Sequence, residues 1–569
     1  MWFLFLLSLS YSDLATHKYA YSEDVILWFN KLVPFNNPQE SYAYSNFPLC
    51  RGSRNFKRYV MGLGEVIEGY ELEDSGMEIN FNRPSSGQTF CEMKLTEVTR
   101  KVLLDALARK FWLQMYLDDL PMWASLGEYD ELTGQGYIYT HFNLVISYKK
   151  DQVIRTKVNL EKPLNLEKTE KLQFSYSVTW DHTSVPFKER FQSYLDPGFF
   201  ENNVHWFSIT NSFVMVLLLC ALVILIVYRT VSQDVDRYND QEVESEFVET
   251  KGWKQVAGDA FRSPPLLPVF TAVVSTGWHL ALMTLLGIFT SILHPVYSER
   301  GSLTFYLLLE YAFLGVVSGF YCGTTYTEYK GKRWPSTTLL TAFGFPFFII
   351  GTGLYLNVTA LVYSSSASVP IGTILEVAGL IGLVYLPLFV FGLVVGRRYQ
   401  ATQPAVCRVN SMQSPILREK LYYNKPVFLI FLGGILPFSS IYVEIYYIFT
   451  SFWNYKFYYV YGFTLMTFIL LAISVACVAI VATYATLNSE DYRWHWISFL
   501  SASSVGFYLF LYSTYYYFFK TQMSGFFQFS FYFGYMGIGS LYLGLVSGAI
   551  GYSASCNFVY RIYSNIKSE

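Results

Sequence analysis

Three carboxylates and one imidazole stand inside long apolar runs of this chain: Glu310, Glu376, Glu444 and His279. An ionisable group at membrane depth costs at least ~2.5 kcal/mol unless something compensates it, so such residues either carry chemistry or are satisfied locally. The chemistry would be a proton or ion relay through a helical bundle. The alternative is hydrogen bonding to neighbouring hydroxyls, which 48 tyrosines make available. Asp118 and Asp119, adjacent in YLDDLPMW, could work as an acid and base pair, but Asp residues just ahead of Pro121 equally fit a turn. The histidines, His17, His141, His182, His205, His279, His294 and His495, are scattered, and no H-E-x-x-H, C-x-x-C or P-loop pattern occurs. No catalytic constellation, metal site or cofactor motif emerges, so the chain is not expected to be an enzyme.

The elements that must hold these residues follow from composition. Of 569 residues, 52% are hydrophobic, 19% aromatic and only 15% charged. A net charge of −2 without a basic block excludes a nucleic-acid footprint. A spanning helix needs about 20 mostly apolar residues, and nine runs qualify: 207–228, 268–293, 303–327, 337–363, 371–395, 427–451, 457–487, 497–519 and 525–553. Residues 1–12, MWFLFLLSLSYS, read as a cleaved signal peptide, with a hydrophobic first strand as the alternative.

These boundaries predict a lumenal domain over 13–206, a first span over 207–228, a cytosolic loop over 229–267, an eight-helix region over 268–553 and a cytosolic tail over 554–569. Loop charges agree. Lys330, Lys332, Arg333, Arg397, Arg398, Arg408, Arg418, Lys420 and Lys425 fall on the expected cytosolic side, against Arg300, Lys456 and Lys520 on the other.

The lumenal segments DVILWFN, GYIYTHFNLVISY, QVIRTKVNL and LQFSYSVTW alternate like strands, and TEVTRKVLLDALARK reads as a helix capped by Thr96. Its apolar positions Val98, Val102, Ala106, Leu103 and Leu107 recur at spacings of four. The fold class is therefore a polytopic α-helical membrane protein with nine transmembrane helices and an N-terminal, mostly-β lumenal domain. Of seven cysteines only Cys50 and Cys91 lie in that domain; they are a candidate disulfide in an oxidising lumen, two free thiols being the alternative. Small residues in GVVSGFYCG, GTG, GGILP and SGAIG suit helix packing or recognition of another membrane helix. Pro346, Pro387 and Pro437 predict kinks, and the one N-x-S/T sequon, Asn357-Val358-Thr359, falls within a span.

The segments NPQESYAYSNFPLC, LGEVIEGYELEDSG, YLDDLPMW, WFSITNSF and GWKQVAGDAFR resemble the nonaspanin family, the transmembrane nine superfamily, most nearly its third-paralogue type. GGILPFSSIYVEIYYIFTSFW, LNSEDYRWHWISFLSASS and YYYFFKTQMSGFFQFSFYFGY extend the likeness over the mature chain. The resemblance implies Golgi and endosomal membranes and a role in sorting client membrane proteins with Gly-rich or polar transmembrane helices. It implies that Glu444 lies in a family-like segment, whereas Glu310 and Glu376 depart from the pattern. It also implies that Lys567 and Glu569, in the terminal Lys-Ser-Glu, form a Golgi-retention signal read by the coatomer coat. Expected partners are thus membrane lipids, client helices and coatomer, with a secondary transporter or channel as the alternative function.

Overall fold

The computed structural model describes residues 18–50, 52, 59, 61–195, 202–241, 253, 255–294, 299–401, 425–454 and 458–564. The expected signal peptide over 1–12 lies outside them.

Alternating apolar residues build two five-stranded sheets at the N-terminal end, beside a two-stranded pair of Asp24–Val25 with Ile79–Asn80. The first runs, in spatial order, through strands Gln152–Asn165, Gln135–Lys149, Lys171–His182 and Ser85–Lys94. The 135–149 and 171–182 strands pair in parallel; the other neighbours along this path are antiparallel. In LQFSYSVTW the buried residues are Leu172, Phe174, Tyr176 and Val178, a period of two that turns one face to the core. The second sheet contains Leu27–Pro34, Phe111–Leu117 and Leu120–Ser125. Leu27, Phe29, Leu113 and Met115 from this sheet join Phe142, Leu144 and Phe174 from the first in one hydrophobic core.

Asp118 and Asp119 form the two-residue turn between Phe111–Leu117 and Leu120–Ser125, with φ of 50° and 65°. Two successive left-handed residues match the right-handed twist of a hairpin, and Asp tolerates that region better than most side chains. The helix Glu97–Ala108 begins at Thr96, whose hydroxyl accepts the Thr99 N–H. Its buried stripe is Leu103, Ala106 and Leu107, while Val98 and Val102 are exposed, contrary to the expected apolar face. The three buried positions lie at i, i+3 and i+4, one side of a 3.6-residue turn, whereas Val98 and Val102 fall on the adjoining edge.

Among the described residues nine helices are long and apolar enough to cross a membrane. Spans 1 to 3 are Val204–Ile226, Leu267–Leu293 and Ser302–Glu328; spans 4 to 6 are Trp334–Val362, Ile371–Ala401 and Pro426–Trp453. Spans 7 to 9 are Tyr461–Asn488, Trp494–Lys520 and Phe526–Tyr563. Span 9 packs on spans 2, 7 and 8, span 6 on span 8, and span 3 on span 5. Spans 4 and 6 continue through Pro346 and Pro437. Span 5 contains a π-helical turn over Ile381–Tyr385 just ahead of Pro387, where the missing proline N–H disturbs the regular ladder.

The last helix runs to Ser564, past the expected boundary at 553. Its final turns stay helical because Val559 and Tyr563 are buried there, and the Tyr563 hydroxyl donates to the Trp253 carbonyl at 2.7 Å. Trp253 and Phe261, from GWKQVAGDAFR, pack their rings on Tyr563 and Tyr560.

The β domain sits on one end of the bundle. Arg300, between spans 2 and 3, bridges Glu65 at 3.0 Å and Asp119 at 2.7 Å. Between spans 4 and 5, Ser365 and Ser366 bond Ser41 at 2.6 and 2.8 Å. Between spans 8 and 9, the Ser524 backbone exchanges hydrogen bonds with the Asn37 side chain at 2.9 and 3.1 Å. Gly64 meets Gly301 so closely that a Cβ on Gly64 would lie 2.0 Å from the Gly301 carbonyl oxygen. The segments NPQESYAYSNFPLC and LGEVIEGYELEDSG thus supply the docking surface.

Candidate functional site

Glu444 is buried in span 6, one helix turn before Tyr447 and nine residues from the end of the span that faces the β domain. Its Oε1 lies 2.5 Å from His205 Nδ1, at the start of span 1. Its Oε2 accepts the Tyr458 hydroxyl at 2.7 Å, and that hydroxyl is in turn 2.5 Å from Thr464 Oγ1 in span 7. The His205 ring is sandwiched by Tyr447 and Phe463, with centroids 4.5 and 4.9 Å away. Both Glu444 oxygens are therefore satisfied, which is what makes a carboxyl tolerable at this depth. Chemically the cluster sets an imidazole against one carboxyl oxygen and a phenol donor, Tyr458, against the other. Tyr458 and Thr464 belong to the wall of a cavity of about 520 Å³ between the β domain and the bundle.

The other expected residues are held elsewhere. Glu310 in span 3 accepts a hydrogen bond from Thr290 of span 2 at 3.2 Å. Its second oxygen is buried without a hydrogen-bond partner among the described residues. His279 is buried in span 2, its Nε2 3.0 Å from the Tyr311 carbonyl and its ring stacked on Tyr311 and Tyr385. Glu376 is exposed on span 5. Among the described residues no hydrogen bond or ion pair joins any two of these four groups, so the geometry does not assemble them into one relay. Cys50 and Cys91 are joined by a disulfide across 6.0 Å between Cα atoms. Lys567 and Glu569 lie outside the described residues.

His205 is the partner that sequence reasoning missed. It comes 239 residues before Glu444, and its one local signal is its place immediately before the WFSITNSF entry into span 1.

A second feature faces the membrane. Span 5 packs on span 3 rather than on span 4, leaving a cleft between spans 4 and 5. Near the end away from the β domain, Trp334, Thr338 and Leu339 face Leu393, Val394 and Arg397 across a cavity of about 470 Å³. Nearer the β domain, span 4 carries Gly351 and Gly353 and span 5 carries Gly372, Gly379 and Gly382. A Cβ at any of these five would meet nothing within 4 Å. At 1.5 Å per residue, Gly353 and Gly379 lie about 13 and 12 Å from the ends of their helices, level with each other. Glu376 is about 8 Å in, on the same face as Gly372 and Gly379. By contrast, Gly319 and Gly323 of GVVSGFYCG are consumed in packing: a Cβ there would lie 1.9 Å from the Phe389 carbonyl oxygen and 2.5 Å from that of Leu393.

Nine apolar helices among the described residues, carrying a domain built on two five-stranded sheets, with a hydrogen-bonded carboxyl–imidazole pair buried near the domain's side, define a polytopic membrane protein. The profile of the family described as Endomembrane protein 70 matches residues 41–526. Transmembrane 9 superfamily member 4 of Arabidopsis thaliana is 33% identical over 582 residues, covering 100% of this chain and 98% of the relative. Transmembrane 9 superfamily member 1 of Pongo abelii is 32% identical over 587 residues, 97% of this chain and 95% of the relative. No solved structure matches. The chain belongs to the transmembrane 9 superfamily, the nonaspanins.

Proposed function

We propose that this protein sorts and localises client membrane proteins in Golgi and endosomal membranes by holding their transmembrane helices laterally, in the cleft between spans 4 and 5. The observation that carries this reading is the open space at Gly372 and Gly379, on the same face of span 5 as an exposed intramembrane carboxyl, Glu376. Helices associate in membranes through close backbone approach at small residues and through interhelical hydrogen bonds, because lipid provides no hydrophobic drive. A Gly-rich or polar client helix satisfies both conditions here.

The β domain then lies in the lumen, a placement supported by its disulfide and by the basic loops at the opposite end of the bundle. Lys567 and Glu569 act as the coat-read address on the cytosolic side. The decisive experiment is rescue of depleted cells with wild type or with Gly379→Leu/Gly382→Leu, followed by surface and organelle membrane proteomics. Clients should return to their membranes with wild type and stay misplaced with the filled cleft. An unchanged membrane proteome after depletion removes the proposal, and an unaltered Golgi distribution of Lys567→Ala/Glu569→Ala removes the address.

A second reading, a secondary transporter, is favoured by the Glu444–His205 pair, which reaches the cavity wall through Tyr458. It requires pH-dependent flux in reconstituted vesicles, abolished by Glu444→Gln.

A further inference from the structure

We propose that the cavity beneath the β domain is a lipid-binding site that takes one amphiphile with an ammonium head from the leaflet facing that domain. The cavity's polarity is graded along the membrane normal. On the β-domain side its lining includes Glu68, Asp119, Glu299 and Arg300; among the spans it is Ile288, Leu303, Leu307 and Ile448, with Thr284 and Tyr542 hydrogen-bonded to each other. Head at the rim and chain between apolar helices is the arrangement a lipid requires, and about 520 Å³ lies within the usual range of small-molecule sites.

The mouth opens toward the membrane. Leu303 on span 3, and Ile448 and Phe452 on span 6, line the cavity yet remain 38%, 40% and 49% exposed. Exposed apolar side chains on both sides of one opening admit a chain sideways from lipid.

The head is selected by charge. Three of the four charged liners are carboxylates, and the one cation, Arg300, already bridges Asp119 and Glu65 and lies 4.7 Å over the Tyr116 ring. Beyond the lining, the nearby cation is Lys31, which acts on Glu68. Carboxylates still outnumber cations around the cavity, and Glu299 stands exposed at its rim, so an anionic head is repelled there and an ammonium is attracted.

The test uses the purified full-length protein in detergent, with lysophosphatidylcholine and lysophosphatidylglycerol of equal chain length as probes and native mass spectrometry as the readout. The expected result is a roughly tenfold preference for the choline lipid, a modest charge attraction near a protein surface. Leu307→Trp, which fills the cavity, should abolish retention. Glu299→Gln, an exposed and conservative change, should keep the melting temperature and lose the preference, so the test survives a misfolded Leu307 variant. Equal retention of both lipids, retention of neither, or a preference that persists in both variants overturns the proposal. So does equal competition by free phosphocholine, which would make the ligand a soluble solute.

Discussion

Two adjacent carboxylates with the same sequence context end in opposite environments. Asp118 points into the β domain, where it pairs with buried Arg190 at 3.0 Å and accepts the Tyr19 hydroxyl; Asp119 points out to Arg300. Burial pushes the Asp118 carboxyl up to about 6, more than Arg190 pulls it back. A carboxyl that binds its proton more tightly folded than unfolded adds stability as pH falls from about 6 toward its unfolded value near 3.9, and loses that gain as pH rises again. Asp118→Asn should flatten the melting temperature across this window. It should also lower the melt overall, because Arg190 is left buried without its carboxylate, typically a loss of about 3–5 kcal/mol. Thermal melts of the full chain between pH 4 and 7 check both. The turn itself was legible from Asp-Asp-Leu-Pro, but the opposed destinations were not, since Arg190 and Arg300 arrive from distant segments. The same holds for Glu444: the sequence marks it as an intramembrane acid, while its partner His205 is supplied by another helix. A double-mutant cycle of Glu444→Gln and His205→Ala should give a coupling of about 0.5–3 kcal/mol in thermal stability. Simple additivity would mean that the 2.5 Å contact contributes nothing.

At the scale of elements, the nine spans could be read directly from apolar length, because each helix must satisfy its own backbone in lipid. What could not be read is which glycines are used internally. GVVSGFYCG and the set Gly351, Gly353, Gly372, Gly379 and Gly382 look alike in sequence, yet the former meet backbone atoms and the latter meet nothing. Gly319→Ala should therefore destabilise the protein by about 1–3 kcal/mol or more, the cost of overpacking against a rigid backbone. Gly379→Ala should leave the melt unchanged within about 0.5 kcal/mol, the usual range for a substitution that touches nothing. Comparing the two by detergent-solubilised thermal melts checks the assignment. The helix at Glu97–Ala108 teaches the same limit: its start was marked by Thr96, but spacing alone grouped Val98 and Val102 with Leu103, Ala106 and Leu107, and the domain buries only the last three.

At the scale of the molecule, the association of domain and bundle rests on few residues. Arg300 is 8% exposed on its side chain and holds two carboxylates, Glu65 and Asp119. Arg300→Ala strands both beside the membrane surface and should cost about 3–5 kcal/mol, by the rule for breaking one partner of a buried pair. Limited proteolysis of the purified protein should then release the β domain faster than from wild type, and equal rates would assign Arg300 no role in docking. The contacts of the domain reach the loops after spans 2, 4 and 8 together, through Arg300, Ser365 and Ser524. In mechanical terms the domain is a brace across the bundle. Rocking one group of helices against another would shear at least one of these anchors, so opening on that side is geared to a tilt of the whole β domain. Cross-linking Ser41 to Ser366 through paired cysteines would lock that gear without touching the membrane interior.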